Sequence, residues 1–155
     1  MHKIEPGSII EIELPNGRFA YGCVFDNAIV GIYKVITSGR LRINDIILNC
    51  IEIYIALNES FITKGIFPII GKITLINDSI YAPDLAWYAE WLPDDSVKRS
   101  AIRNKQGKTE YTNEEYYISL VKKGLIINVF NKPDNIASWI MDNLNKWPNY
   151  EMPTE

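Results

Sequence analysis

Residues 6–35 read PGSIIEIELPNGRFAYGCVFDNAIVGIYKV, and this stretch decides the fold. Apolar and charged residues alternate over residues 10–14, which predicts an extended strand with one buried face. Asn16-Gly17 follows, and this dipeptide between two strand-like runs indicates a hairpin, because both residues tolerate positive φ. Residues 18–25 form the predicted return strand, and residues 28–36 form a third strand. The stretch therefore predicts a three-stranded meander that opens a small twisted sheet.

The same residues resemble a known family. Pro6-Gly7, the alternating strand and residues 14–22 (LPNGRFAYG) are similar to the opening of the immunity protein 26 family, bacterial proteins that lie beside polymorphic toxins and neutralise them. Residues 67–73 (FPIIGKI) are similar to a second segment of that family, and the resemblance extends to about Leu75. It implies a stoichiometric inhibitor that binds one cognate toxin protein.

Further strands are predicted beyond the meander. Residues 46–57 form a long apolar run, which predicts one long strand. Residues 67–69 and 72–76 predict two short strands, and Pro68 places the first of them at a sheet edge because proline lacks an amide hydrogen. Residues 98–111 predict a ribbon of two strands joined by a polar loop.

Two helices are predicted in the C-terminal third. Thr112 and Glu115 have the spacing of a capping box, and Gly124 is expected to end the helix that they open. A short apolar strand is predicted at residues 125–130. Pro133 opens a second helix, which is expected to bury one apolar stripe. The stripe consists of Ile136, Trp139, Ile140, Leu144 and Trp147.

These elements predict an α+β fold with a mostly antiparallel, strongly curved β-sheet or small half-barrel and two helices in the C-terminal third. Gly22 and Gly31 fall inside predicted strands, where they indicate the bulges or bends that a curved sheet requires. The chain has 155 residues, a length that fits a single domain over residues 1–155 with one adequate core.

Composition and charge narrow the class of partner. Hydrophobic residues make up 47% of the chain and charged residues 23%, which is typical of a globular protein. The net charge is −3, and all of the acidic excess lies in the second half. Residues 1–76 hold 7 acidic and 7 basic side chains, whereas residues 77–155 hold 12 and 9. This balance argues against a polyanionic partner and leaves basic partners open.

Residues 81–95 combine aromatic and acidic side chains, and no basic residue lies between Lys72 and Lys98. Aromatic residues anchor protein interfaces, and carboxylates select a cationic partner. We therefore predict a partner-binding surface in this segment, with a basic toxin surface, such as a nuclease cleft, as its target. The alternative is one buried tryptophan face surrounded by solvated acids. The predicted binding residues are Asp84, Tyr88, Glu90, Trp91, Asp94 and Asp95.

Residues 98–108 have the opposite charge to the acidic segment before them, with five basic side chains and no acid. Such a ribbon indicates a second possible function, a small β-barrel that binds nucleic acid or a peptide through Arg99, Arg103 and Lys105. The simpler interpretation pairs this ribbon with the acidic segment before it, through modest cross-strand attraction. The overall acidity favours that simpler interpretation, so we do not expect nucleic acid as the partner.

The sequence offers little for catalysis. His2 is the only histidine, and no phosphate-binding or dinucleotide-binding motif is present. Paired carboxylates leave a hydrolase built on Asp94 and Glu115 as a third hypothesis, although adjacent surface acids rarely have the shifted pKa that catalysis requires. Cys23 and Cys50 are expected to be buried and reduced in strands. We therefore predict no enzyme activity, no catalytic residue, no cofactor and no metal.

No apolar run approaches the ~20 residues that span a bilayer. The first residues also lack the apolar core of a signal peptide. We therefore expect a cytoplasmic protein without a membrane partner, and the sequence does not predict its oligomeric state.

Overall fold

In the computed structural model, which describes residues 4–87 and 100–144, a nine-stranded sheet forms the frame of the molecule. The strands are β1 (Ser8–Glu13), β2 (Phe19–Val24), β3 (Ile29–Tyr33), β4 (Ile51–Ala56), β5 (Ile69–Lys72), β6 (Leu85–Trp87), β7 (Ala101–Arg103), β8 (Thr109–Tyr111) and β9 (Ile126–Asn128). The helices are α1 (Ile43–Ile46), α2 (Glu59–Thr63), α3 (Glu114–Lys122) and α4 (Pro133–Asn143). Within the described residues the strand order is β5-β1-β2-β3-β4-β9-β6-β7-β8.

The predicted meander is confirmed in β1, β2 and β3. β1 and β2 pair antiparallel from Glu13 opposite Phe19 to Ile9 opposite Cys23. The turn between them has Asn16 at φ 70° and Gly17 at φ 69°, the left-handed region that this dipeptide was expected to supply. β3 then pairs antiparallel with β2 and with β4.

The long strand predicted over residues 46–57 is wrong in its first part. Ile43 and Ile46 lie one helical turn apart in α1, and Ile46 is fully buried against the side chains of β1 and β2. β4 begins only at Ile51. A short apolar run fits either a helix or a strand, and here tertiary burial selects a helical turn. Cys50 lies in the connection between them and is exposed, which corrects the prediction of a buried strand position.

The edge strand predicted at residues 67–69 is displaced, because β5 begins only at Ile69; its edge position is confirmed, since β5 pairs with β1 at one end of the sheet. The strand predicted over residues 72–76 is wrong beyond Lys72. The chain leaves the ladder after Ile73, whose amide still donates to the carbonyl oxygen of Gly7 at 2.9 Å. Gly7 has φ +91°, and a Cβ at this position would collide with the carbonyl oxygen of Ile73. This close approach of two backbones therefore requires glycine.

The second half of the sheet is an antiparallel ribbon joined to the meander through a parallel strand. β6, β7 and β8 pair antiparallel, as predicted for the acidic and basic ribbons. β9 lies between β4 and β6 and runs parallel to both. The sheet is therefore mixed but mostly antiparallel. Within the described residues the sheet is open, with β5 and β8 at its ends, and its strong curvature stays a prediction.

The two predicted C-terminal helices are present, and two shorter helices precede them. The capping box at Thr112 is wrong by one residue, because the side chain of Asn113 accepts the amide of Tyr116 at 2.7 Å. Asparagine is the stronger N-cap, and it adopts the required extended backbone. In α4, Ile136 and Ile140 are buried as expected, whereas Trp139 is half-buried against Phe130. Trp147 lies outside the described residues.

Helices cover one face of the sheet, and α1 with loops covers the other. α2 and α4 bury Phe61, Ile62, Ile136 and Ile140 against side chains of β1 to β4. α3 buries Tyr117, Leu120 and Val121 against Ala86, Ile102 and Ile126. On the opposite face, Ile46 of α1 packs with Ile9, Tyr21, Cys23 and Tyr33. α3 therefore lies on the β6–β7–β8 ribbon, the part of the sheet that carries the predicted acidic segment.

Candidate functional site

Asp84 is the predicted binding residue that the structure describes. Tyr88, Glu90, Trp91, Asp94 and Asp95 lie outside the described residues, as does Arg99 of the basic ribbon. Asp84 immediately precedes β6 and is partly exposed. The contacts of Asp84 and Trp87 therefore show how the described part of the predicted binding segment is held in place.

The carboxylate of Asp84 is joined to the first turn of α3. The hydroxyl of Tyr116 donates a hydrogen bond of 2.7 Å to Oδ2 of Asp84. This bond, together with burial and the negative charges of Asp84 and Glu110, raises the pKa of Tyr116 to about 12. Tyr116 therefore stays protonated at neutral pH and remains a donor. The sequence did not indicate this pair, because the two residues lie 32 positions apart.

Trp87 is held at both ends by neighbouring elements. Its indole Nε1 donates to Oγ1 of Thr109 at 3.2 Å, and its carbonyl oxygen accepts from the hydroxyl of Tyr117 at 2.5 Å. The ring is half-buried and packs with the cluster around Ile29 and Tyr54, so it lies partly in the core. The end of β6 is thus fixed to both β8 and α3.

Side chains alternate along a strand, so the two sides of β8 carry different residues. Thr109 and Tyr111 share the side of Trp87, whereas Glu110 lies on the side of α3, where its carboxylate accepts from Nδ2 of Asn104 at 2.9 Å. All three residues of β8 are exposed, and Tyr111 is 66% exposed. Tyr116 is 38% exposed on the adjoining helix turn.

We call this region the acidic tyrosine surface. It consists of Asp84, Glu110, Glu114, Glu115 and Tyr116 on the side of α3, together with Tyr111 at the β8 edge, whose side chain lies on the other side. Four carboxylates and two tyrosines on a partly exposed surface suit a cationic protein partner, because the rings supply contact area and the carboxylates supply charge. Sequence reasoning found the composition of the acidic segment but missed the contribution of β8 and α3. The Glu114-Glu115 pair at the start of the predicted helix was the available sign of it.

Arg103, which the alternative nucleic-acid hypothesis would use, connects the ribbon to the meander. Its Nη2 donates to the carbonyl oxygen of Asn27 at 3.0 Å, and burial lowers the pKa of its guanidinium. The side chain of Asn27 in turn exchanges hydrogen bonds with the backbone of Ala82, at 3.1 and 3.2 Å. Lys105 and Lys108 are exposed in the hairpin loop. Arg103 is therefore a structural residue at the junction of the two halves of the sheet.

The residues considered for metal or thiol chemistry lie apart. Cys23 is buried, as predicted, and burial raises the pKa of its thiol to about 11. Among residues 4–87 and 100–144, no group of three or more His, Cys, Asp or Glu side chains could hold a metal ion. Glu115 is exposed on α3, and Asp94, its proposed catalytic partner, lies outside the described residues. Within the part of the chain that the structure describes, no helix is long and apolar enough to cross a bilayer.

Comparison with known proteins identifies the family. The family model of immunity protein 26 matches residues 5–96, which is more than half of the 155 residues. The matched range includes β1 to β6 and the acidic segment. No curated protein and no solved structure matches the chain. The match covers both segments whose sequence resembled this family, and the chain belongs to the immunity protein 26 family.

Proposed function

We propose that the protein is a stoichiometric inhibitor that binds and neutralises one cognate domain of a bacterial polymorphic toxin system. Membership of the immunity protein 26 family carries this proposal. The protein acts in the bacterial cytoplasm by binding alone, without a cofactor and without turnover of a substrate. Its binding surface combines the acidic segment around Asp84 with the acidic tyrosine surface beside it.

The charge of this surface supports a basic partner. The acidic excess of the chain lies in its second half, which holds 12 acidic and 9 basic residues. The four carboxylates of the acidic tyrosine surface attract a cationic protein from a distance and raise the rate of encounter. A nuclease domain has a basic cleft for its phosphate substrate, so an acidic inhibitor surface fits such a toxin.

The bonds around Asp84 support a preformed surface. Tyr116 fixes the carboxylate of Asp84, and Thr109 fixes the ring of Trp87. Side chains that are already ordered lose less conformational entropy on binding, and the affinity rises accordingly. The carboxylate of Asp84 therefore has a position that β6 and α3 fix before the partner binds.

Co-expression with the protein encoded directly upstream tests the proposal. We expect that protein to stop growth when it is produced alone. Growth is expected to return when both proteins are produced, with a one-to-one complex on purification. If the upstream protein is harmless and no complex forms, the proposal fails, and salt-dependent gel shifts with DNA and RNA then test the nucleic-acid-binding alternative.

Charge reversal tests the binding surface. Replacing Glu90, Asp94 and Asp95 by Lys is expected to slow association and weaken protection, because like charges then meet across the interface. The matched control replaces Glu13, Asp45 and Glu59 by Lys, which changes the net charge equally on β1, α1 and α2. Unchanged binding in the first variant would exclude the acidic segment from the interface.

A further inference from the structure

β8 ends the sheet on the side of the acidic tyrosine surface. Among the described residues its strand neighbour is β7, and all three of its residues are exposed. An end strand presents backbone groups that another extended chain can pair with. The question is which groups of β8 point outward and what chemistry surrounds them.

The hydrogen bonds of the ribbon settle the direction of the backbone groups. The amide of Asn104 donates to the carbonyl oxygen of Lys108 at 2.9 Å, and the amide of Thr112 donates to that of Ser100 at 2.7 Å. Lys108 and Thr112 therefore face β7, and Glu110, midway between them, does so too. In an antiparallel ladder the intervening residues face the other way. The N–H and C=O groups of Thr109 and Tyr111 consequently point out of the sheet.

The side chains along this edge determine which residue types would fit in an added strand. A residue opposite Glu110 would lie on the α3 side, beside the carboxylate of Glu110. Residues opposite Thr109 and Tyr111 would lie on the side of Trp87 and the exposed Tyr111 ring. An added segment therefore matches this edge when a Lys or Arg stands between two apolar or aromatic residues.

A second copy of this chain does not fit the edge. Outward-facing residues must pair with outward-facing residues, so the two-fold register that overlaps all of β8 pairs Thr109 with Tyr111 of the other copy. That register sets Glu110 directly opposite Glu110 of the other copy. Like charges directly opposite each other destabilise a strand pair. The same carboxylate that attracts a basic segment thus opposes self-association.

We propose that β8 receives an extended, basic segment of the toxin as a tenth strand, bonded to the outward backbone groups of Thr109 and Tyr111. This inference rests on the proposed function and specifies its contact. Glu110 selects the Lys or Arg side chain of the added segment, and Tyr111 packs on its apolar residues. The exposed Lys105 and Lys108 at the hairpin end repel a second cation there, so the basic residue is placed toward α3.

The opposite end of the sheet supplies a matched control. In β5 the amide of Ile73 faces β1, and Gly71 opposite Ile9 lies in the same register, so Gly71 faces β1 and Lys72 between them faces outward. Lys72 is exposed, and its ammonium group is paired with Glu5. A proline at residue 72, compared with an alanine there, therefore removes an outward amide from an edge strand that lacks the carboxylates of β8.

The experiment uses the full chain and its complex with the protein encoded directly upstream. Tyr111→Pro removes an outward amide and leaves the bonds to β7, Tyr111→Ala removes the ring alone, and Lys72→Pro compared with Lys72→Ala is the edge control. We expect Tyr111→Pro to weaken binding about tenfold or more beyond Tyr111→Ala, because a buried partner carbonyl loses its donor. Lys72→Pro is expected to bind as Lys72→Ala does. Equal affinities of the proline and alanine variants at residue 111, or a loss of binding confined to Lys72→Pro, would overturn the proposal.

Hydrogen exchange of the wild-type protein tests the same contact if Tyr111→Pro does not fold. In the free protein the amides of Thr109 and Tyr111 should exchange rapidly, whereas the amide of Glu110 is already protected by β7. In the complex the first two amides should slow by about tenfold or more. A complex in which these amides keep their free rates overturns the inference and leaves the proposed function intact. Absence of any complex refutes the proposed function itself.

Discussion

The hydroxyl of Tyr116 donates a 2.7 Å hydrogen bond to the carboxylate of Asp84, and this bond joins the first turn of α3 to the start of β6. Removing the hydroxyl in Tyr116→Phe should lower the free energy of unfolding by about 1 kcal/mol, a modest cost because the pair is partly exposed to water. Chemical denaturation measures the change. Tyr111→Phe is the control, since Tyr111 is 66% exposed, and it should be nearly neutral. Equal losses in both variants would contradict a special role for this bond.

The same bond predicts a pH dependence. The pKa of Tyr116 is raised to about 12 in the folded protein, whereas an unfolded tyrosine titrates near 10. The folded state therefore holds its proton more tightly, and the stabilising effect is complete below pH 10 and is lost as the pH rises toward 12. We expect the stability difference between wild type and Tyr116→Phe to shrink over this interval. A difference that stays constant from pH 9 to pH 12 would refute the assignment.

Gly7 should tolerate substitution worse than Gly65, although both have positive φ. A Cβ at Gly7 would collide with the carbonyl oxygen of Ile73, whereas a Cβ at Gly65 would meet nothing within 4 Å. Gly65→Ala should therefore cost about 1 kcal/mol from backbone strain alone, and Gly7→Ala about 3 kcal/mol or more. Thermal and denaturant unfolding of the two variants measure the difference. Similar costs would mean that the β1–β5 junction relaxes around the methyl group.

The hairpin between β1 and β2 shows why part of the fold could be predicted from the sequence. Asn16-Gly17 determines its turn locally, and alternation over a few residues determines which face is buried. The insertion of β9 between β4 and β6 has no such local cause. A three-residue apolar strand fits several positions in a sheet, and long-range packing selects one of them.

The residues of the candidate site also differ in whether the sequence predicts them. Asp84 could be found from composition, because acids and aromatic residues cluster around it in the sequence. Its partner Tyr116 could not, since the contact depends on how α3 packs on the ribbon. The structural contact of Arg103 could not be predicted for a related reason, because its charge is visible in the sequence and its bond to Asn27, 76 residues away, is not.

The two cysteines should differ sharply in reactivity. Cys50 is exposed, whereas Cys23 is buried and its thiol has a pKa of about 11. Because the thiolate is the reactive form, a thiol reagent at pH 8 should modify Cys50 quickly and Cys23 only as the protein unfolds. Cys50→Ser should remove the fast phase and Cys23→Ser the slow phase. Two fast thiols in the native wild-type protein would contradict the burial of Cys23.

Glu110→Lys tests the electrostatics of the β8 edge in the toxin complex. Reversing this charge turns an attraction for a basic segment into repulsion, so association should slow by about tenfold at low salt. The effect should shrink as salt is added, because the screening length falls from about 30 Å at 0.01 M to about 8 Å at 0.15 M. Glu59→Lys is the matched control, an exposed acid in the first turn of α2 with the same change in net charge. Stopped-flow association rates should separate the two variants, and an equal slowing in both would show that net charge acts and the β8 edge does not.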